Sequence, residues 1–221
     1  MDLWLLDTTG IEEDSLDLSL LDTDELRRAQ AFVHGRDRVR YASAHTALRR
    51  ILGRYTGLPP QDLVFGRDVC PCCGGPHGRP VLTEPSHAPH FSLSHGGDLV
   101  LIGVADAAVG VDIEPVSAPD TVAELSSVLH PAERAELSAE PLERRGTAFT
   151  RLWTRKEAYL KGLGTGLGRD LAADYLGTSG LAEPPSGWTV SDVPAGPGYA
   201  AACAVSGSAS DMRVRHLSAP A

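Results

Sequence analysis

Lysine is scarce in this chain: Lys156 and Lys161 are the only two, and arginine carries the remaining side-chain positive charge apart from histidine. Residues 1–26 hold acids and neither Lys nor Arg. No apolar run approaches the ~20 residues that a membrane span requires. The opening Met1-Asp-Leu-Trp-Leu-Leu-Asp7 lacks the basic and apolar regions of a signal peptide and reads as a first strand, so a cytoplasmic protein without a membrane partner is expected. The net charge of −9 lacks the basic excess with which a general nucleic-acid binder neutralises phosphates. The positive charge that is present is concentrated. Arg27, Arg28, Arg36, Arg38, Arg40, Arg49, Arg50 and Arg54 crowd one segment, and an anionic ligand or partner would be met there or at the lysines.

Cysteine is also sparse, and three of the four fall in Cys70-Pro-Cys72-Cys73-Gly-Gly-Pro-His77. A cytoplasmic address favours reduced thiols over disulfides. Cys70, Cys72, Cys73 and His77 could ligate zinc, but the run lacks the second ligand pair of a standard zinc motif, so a tight loop with free thiols is the expectation. Cys203, within Tyr199–Val205, reads as a small buried strand residue.

At 221 residues, 42% hydrophobic and 22% charged, the chain can bury a core as one domain or as two small lobes. Residues 3–7 read as a strand, and a helix starts near Thr23 or Asp24, either of which could cap it. From Arg36 to Tyr55 no Gly or Pro intervenes until Gly53. Val39, Ala42, Leu48, Ile51 and Leu52 give that stretch an apolar helical stripe flanked by arginines. Arg38, Arg49, Arg50 and Arg54 read as surface or partner-docking residues. Phe91–Ser94, Leu99–Val104 and Val109–Glu114 follow as strands whose intervening turns suit antiparallel hairpins. Pro131 opens a helix with acids in its first turn. Trp188–Val190, Tyr199–Val205 and Met212–His216 are the remaining strand candidates.

The chemistry gathers on two elements. On the third strand Val109, Val111 and Ile113 point one way, and Gly110, Asp112 and Glu114 the other. In Arg151–Leu167, Trp153 and Leu160 draw an apolar stripe with neighbouring Phe149, while Thr154, Glu157 and Lys161 lie along an adjacent helical face; Gly162, Gly164 and Gly166 then end the helix in a loop that can approach a ligand. Asp112, Glu114 and Glu157 offer hard oxygen ligands suited to Mg2+ or Mn2+. Arg36, Arg40, Arg79, Ser94, His95, Lys156 and Lys161 could hold the phosphates that complete such a site, which suggests phosphoryl-type transfer. Taken singly, the acids also fit a solvated edge strand, and Glu157 with Lys161 an ordinary i,i+4 pair.

Phe91-Ser-Leu-Ser-His95, Gly110-Val-Asp-Ile-Glu114 and Trp153-Thr-Arg-Lys-Glu-Ala-Tyr-Leu-Lys161 resemble, in order and spacing, the motifs of the 4′-phosphopantetheinyl transferases of the surfactin-synthetase-activator type. Pro76-His-Gly-Arg-Pro80 resembles that family's Gly-Lys-Pro motif with Arg79 for Lys, and Phe32-Val-His-Gly-Arg36 its upstream basic motif; the match spans roughly residues 30–170. The resemblance implies transfer of the 4′-phosphopantetheine arm of coenzyme A to a serine of an apo acyl or peptidyl carrier protein, as in polyketide or non-ribosomal peptide biosynthesis, releasing adenosine 3′,5′-bisphosphate. It implies Mg2+ on Asp112, Glu114 and Glu157, with Glu157, directly or through a metal-bound water, taking the serine proton and Lys161 stabilising the leaving group. Coenzyme A phosphates would fall to Arg36, Arg40, Arg79, Ser94, His95, Lys156 and Lys161, and Glu133 sits where relatives place another acid. His45 interrupts the arginine-rich helix where a further basic residue is expected.

The implied fold is α+β, a pseudo-dimer of two similar lobes, each a long helix on a small antiparallel sheet, with residues 1–106 and 107–221 enclosing the site in their cleft. The protein would act as a monomer on acidic carriers docked at a basic or apolar patch near the arginine helix and residues 116–130. A Mg2+-dependent phosphohydrolase using the same acids and a non-catalytic zinc-loop module remain as rivals.

Overall fold

The computed structural model describes residues 1–208 and 211–217, apart from the side chain of Leu167. In chain order its elements are β1 (Asp2–Asp7), α1 (Thr23–Ala31), α2 (Gly35–Thr56), β2 (Phe65–Arg67), β3 (Pro80–Leu82), β4 (His90–Gly96), β5 (Leu99–Ala105), β6 (Val109–Pro115), α3 (Pro119–Leu125), α4 (Pro131–Ala139), α5 (Leu142–Leu163), β7 (Trp188–Asp192), β8 (Tyr199–Ser206) and β9 (Arg213–Leu217), with short 3-10 turns between. The architecture is mixed α+β. One sheet has the order β4-β5-β1-β9, a second β6-β8-β7, and β2 pairs with β3 in a separate hairpin.

The period of two along each strand assembles the layers. In β1, Leu6 turns to the face covered by α2, where Val39, Ala42, Leu48, Ile51 and Leu52 meet Phe91, Val100, Ile102 and Val104. Leu3 and Leu5 turn to the opposite face and, with Leu101, pack on Val111, Ile113, Ala201 and Cys203 of the second sheet. The far face of that sheet, through Ala202 and Ala204, receives Ala158, Tyr159 and Leu160 of α5. The order is therefore helix, sheet, sheet, helix, with Cys203 buried as expected.

Three sequence expectations are corrected. The third strand does not continue the hairpin series: β5 already has β4 and β1 on its two edges, so β6 crosses to the other sheet and pairs antiparallel with β8. The cap of α1 is Asp22, one residue before the expected pair. Its carboxylate accepts from the N–H groups of Asp24 and Glu25, and Glu25 returns a bond to the Asp22 N–H, because the acid at the third helical position completes a capping box. Arg49 is not a surface residue. It is fully buried, donating to Glu25 at 2.6 Å, to Asp22 at 2.7 Å and to the carbonyls of Pro60 and Leu63, under the Phe65 ring. Burial alone would push the Glu25 carboxyl up, but bonds from His45, the Asp22 backbone and Arg49 outweigh it and hold the pKa below the usual value. Arg54 is exposed, as expected.

Helix α5 lies so close to β6 that a Cβ on Gly110 would overlap the carbonyl of Ala158 and the N–H of Gly162. Both obstacles are backbone, so a side chain there must force the two elements apart. Gly110→Ala should destabilise the protein by ~1–3 kcal/mol, read as a lowered urea midpoint. An unchanged midpoint would mean that the helix slides freely on the strand.

Candidate functional site

Because β6 buries its valines against the first sheet, Asp112 and Glu114 are turned toward α5. Asp112 is 2% exposed. Its Oδ1 accepts from the Ser94 hydroxyl at 2.7 Å and from Lys161 Nζ at 2.7 Å, and Lys161 also donates to Ser94 Oγ at 2.9 Å. Its Oδ2 is buried without a hydrogen-bond partner. Trp153, Glu157 and Lys161, each four residues apart on α5, line one open pocket of about 420 Å3 with Ser94, His95, Asp112 and Glu114. The strand is thus no solvated edge, and the ion-pair partner of Lys161 is Asp112 across the interface.

Three carboxylates face one ammonium. Burial, then the charges of Asp112 and Glu157, push Glu114 up to about 7 against the opposing pull of Lys161. Burial and Asp112 likewise raise Glu157. Oxygens of the three acids are not all within 4.8 Å of one another, since among the described residues only Cys70, Cys73 and His77 form a group that tight. An orphaned buried carboxylate oxygen beside two acids that resist ionisation describes a site short of positive charge. Its donors are hard oxygens, so the residues fit a divalent cation such as Mg2+.

Lys161 and Leu93 also line a second, larger cavity of about 1140 Å3. It runs past Phe91 and Ser92, the β2–β3 hairpin tip and the loop holding Gly164, Thr165, Gly166 and Gly168, to Arg28, Tyr41 and His45. Arg67 and Arg79 add positive charge to its wall. Arg79 is fixed by Asp68 at 2.9 Å and by the Gly162 carbonyl at 3.1 Å. His45 faces the cavity, bonded to Glu25 and stacked on Tyr41.

The expected phosphate-binding set is divided. Ser94, His95 and Lys161 meet at the acids, while Arg79 stands in the larger cavity. The surrounding protein, then the charges of Lys161, His45 and Arg40, hold His95 below its ordinary pKa. Arg36 and Arg40 line neither cavity. Both converge on Asp98 in the β4–β5 turn, at 2.7 and 2.9 Å, and their bonds hold its carboxyl below the usual range.

Lys156 is not at the site. It is 2% exposed and spends its donors on Glu133 at 2.9 Å and on the Leu171 and Asp174 carbonyls at 2.7 Å each. Burial lowers its pKa although Glu133 pulls the other way. Glu133, fully buried, also accepts from the N–H groups of His130 and Leu176, so it ties α4 and the following chain to α5 rather than joining Asp112. Sequence reasoning reached Arg28 only as one of a crowd of arginines open to an anionic ligand, and left out Arg67 as a cavity residue and Asp98 as the anchor of two arginines, because each acts across a long sequence separation.

Two outcomes follow from these charges. Lys156→Ala strands the Glu133 carboxylate in the interior and should cost ~3–5 kcal/mol in denaturant unfolding. For Glu114, the folded state keeps a proton that the unfolded state releases between pH 4.5 and about 7. Stability of the wild type relative to Glu114→Gln should therefore fall as pH rises through that window and level off above it, measured at constant ionic strength. A flat difference would contradict the raised pKa.

A family model described as the 4′-phosphopantetheinyl transferase superfamily matches residues 108–196, from the connection before β6 to the approach to β8. The 4′-phosphopantetheinyl transferase HetI of Nostoc sp. is 32% identical over 76% of this chain and 70% of its own length. The 4′-phosphopantetheinyl transferase psf-1 of Bacillus pumilus is 34% identical over 57% of this chain and 50% of its own length. A Synechocystis relative carrying the same enzyme name is 31% identical over 67% of this chain and 59% of its own, so the chain spans only about half to three fifths of these last two proteins. With the acid strand and the Glu157–Lys161 helix face inside the matched residues 108–196, and HetI 32% identical over 70% of its own length, the chain belongs to the 4′-phosphopantetheinyl transferase family.

Proposed function

We propose that the protein transfers the 4′-phosphopantetheine arm of coenzyme A to a serine hydroxyl of an apo acyl or peptidyl carrier protein, with Mg2+ as cofactor and adenosine 3′,5′-bisphosphate as the second product. The observation that carries this reading is the acid pocket opening beside a cavity large enough for a nucleotide, with Lys161 on both walls. Asp112, Glu114 and Glu157 would hold the cation, which when bound neutralises pyrophosphate charge and polarises the phosphorus.

The chain's own groups supply the rest. Glu157, raised above an ordinary carboxylate, is the better base for the serine proton as the serine oxygen forms its bond to the β-phosphorus. Lys161, held by Asp112 and Ser94, is aimed to stabilise the charge on the departing phosphate oxygen as the P–O bond breaks. Arg79 offers the coenzyme a planar guanidinium from the large cavity and His95 an imidazole beside the acids, while Arg36 and Arg40 lie beyond them at Asp98. Lys156 has no place in this scheme.

The pseudo-dimer reading, with lobes 1–106 and 107–221, draws support from a repeated pattern. In each half a nine-residue helix carries a capping-box glutamate at its third position, Glu25 or Glu133. That glutamate meets a buried cation at the fifteenth residue of the 22-residue helix that follows, Arg49 or Lys156. β9 departs from strict separation by pairing with β1. An acidic carrier would dock on the exposed apolar residues Phe32, Val33, Val116 and Val128 and the arginines near them, with the enzyme acting as a cytoplasmic monomer.

The test is intact-mass analysis of an apo carrier incubated with the protein, coenzyme A and Mg2+. The expected gain is about 340 Da, fixed by the covalent modification. It should vanish without metal and slow by ~10²–10⁴-fold in Glu157→Gln. No gain on several unrelated carriers, by protein that binds coenzyme A in calorimetry, would overturn the reading.

A further inference from the structure

The hairpin tip between β2 and β3 is closed by backbone bonds from Asp68 N to the Arg79 carbonyl and from Gly78 N to the Asp68 carbonyl. Inside it the chain folds back sharply: Cys70 N donates to the Gly75 carbonyl at 2.7 Å and Gly74 N to the Cys70 carbonyl at 2.8 Å, with Gly74 at a φ of 74°. A Cβ on Gly75 would strike the His77 ring, so glycine there lets the imidazole fold in until its Nε2 lies 3.0 Å from Cys73 Sγ. The Cys70, Cys73 and His77 ligand atoms all lie within 4.8 Å of one another. Bonds to tetrahedral zinc of about 2.3 Å from sulfur and 2.0–2.1 Å from nitrogen separate neighbouring ligand atoms by about 3.5–3.8 Å.

We propose that Cys70, Cys73 and His77 bind one Zn2+ ion that locks this hairpin tip. Two thiolates and an imidazole form a soft donor set that selects zinc over the hard cation suited to the carboxylates. Binding displaces the two thiol protons to solvent and leaves one coordination position to water. Cys72 is exposed, one residue before Cys73, and is not among the ligands. The pair at residues 70 and 73 has the C-x2-C spacing of a zinc knuckle, so free thiols are not what the loop geometry favours. The ion's role is positional: the locked tip carries Arg79 two residues beyond His77, and Arg79 reaches across to the Gly162 carbonyl at the end of α5. The inference stands apart from the transfer reading.

The experiment measures zinc by plasma mass spectrometry in the full chain, equilibrated with Zn2+ under reductant and excess Mg2+ and then desalted. The expected content is about one zinc per chain in the wild type and in Cys72→Ser, falling below about a tenth of that in Cys73→Ser and in His77→Ala. Co2+ replacement should give thiolate-to-metal charge-transfer absorption in the wild type and lose it in Cys73→Ser. Chelation should speed hydrogen exchange across residues 67–79 while leaving residues 109–115 unchanged, which separates local unlocking from unfolding. Less than a tenth of an equivalent in folded wild type, or a full equivalent retained by the Cys73→Ser/His77→Ala double variant, would overturn the proposal.

Discussion

Everything at the site depends on the backbone of β6 running against the backbone of α5. Gly110 and Gly162 are the residues that let it, Gly110 clear of the Ala158 carbonyl and Gly162 clear of the Gly110 N–H as well as of the Trp188 ring on β7. Once that contact is made, the two-residue period of the strand and the four-residue repeat of the helix leave little freedom. Two positions beyond Gly110 comes Asp112, and one turn back from Lys161 comes Glu157, so acid and ammonium meet across the seam. The desolvation that accompanies this packing is also what raises the pKa of Glu114 and Glu157. Close packing is thus the largest source of the unusual electrostatics, and the mutual repulsion of the acids adds to it.

The two long helices, α2 and α5, are held in the same way up to a point. In each case a short capped helix presents a glutamate to a buried cation on the long helix. Arg49 can satisfy Asp22, Glu25 and two carbonyls at once because its guanidinium is a planar fork. Lys156, a compact ammonium with three donors, serves Glu133 and two carbonyls and is then exhausted. A buried cation removed from its acid leaves an uncompensated charge, so these hubs fix helix position more than they add stability.

Local periodicity made much of this legible. The acid face of β6, the apolar stripe of α2 and the Glu157–Lys161 face are all patterns within ten or so residues, and the structure keeps each of them. Lys156 shows where motif reading overrode geometry. Residues five apart on a helix point about 140° away from each other, so Lys156 and Lys161 cannot both face one pocket. Other features depend on partners distant in sequence. Asp98 gathers Arg36 and Arg40 from about sixty residues away, and β6 leaves β5 because β1, from the chain's first residues, already occupies that edge.

The charge balance of the whole chain takes on meaning at this scale. A protein with nine more acids than bases could shield its acidic pocket by surrounding it with arginines, yet several of the arginines are committed elsewhere: Arg36 and Arg40 to Asp98, Arg38 to Glu13, Arg49 to α1, Arg155 to Asp192 and Arg169 to Asp174. Lys161 is the cation set among Asp112, Glu114 and Glu157, and it is too little for three carboxylates. The deficit is built in by the ion pairs that hold the rest of the fold together. A site balanced by its own side chains would have no electrostatic reason to take up a cation, whereas one left short of positive charge gains by binding a cation and a phosphate-bearing ligand together.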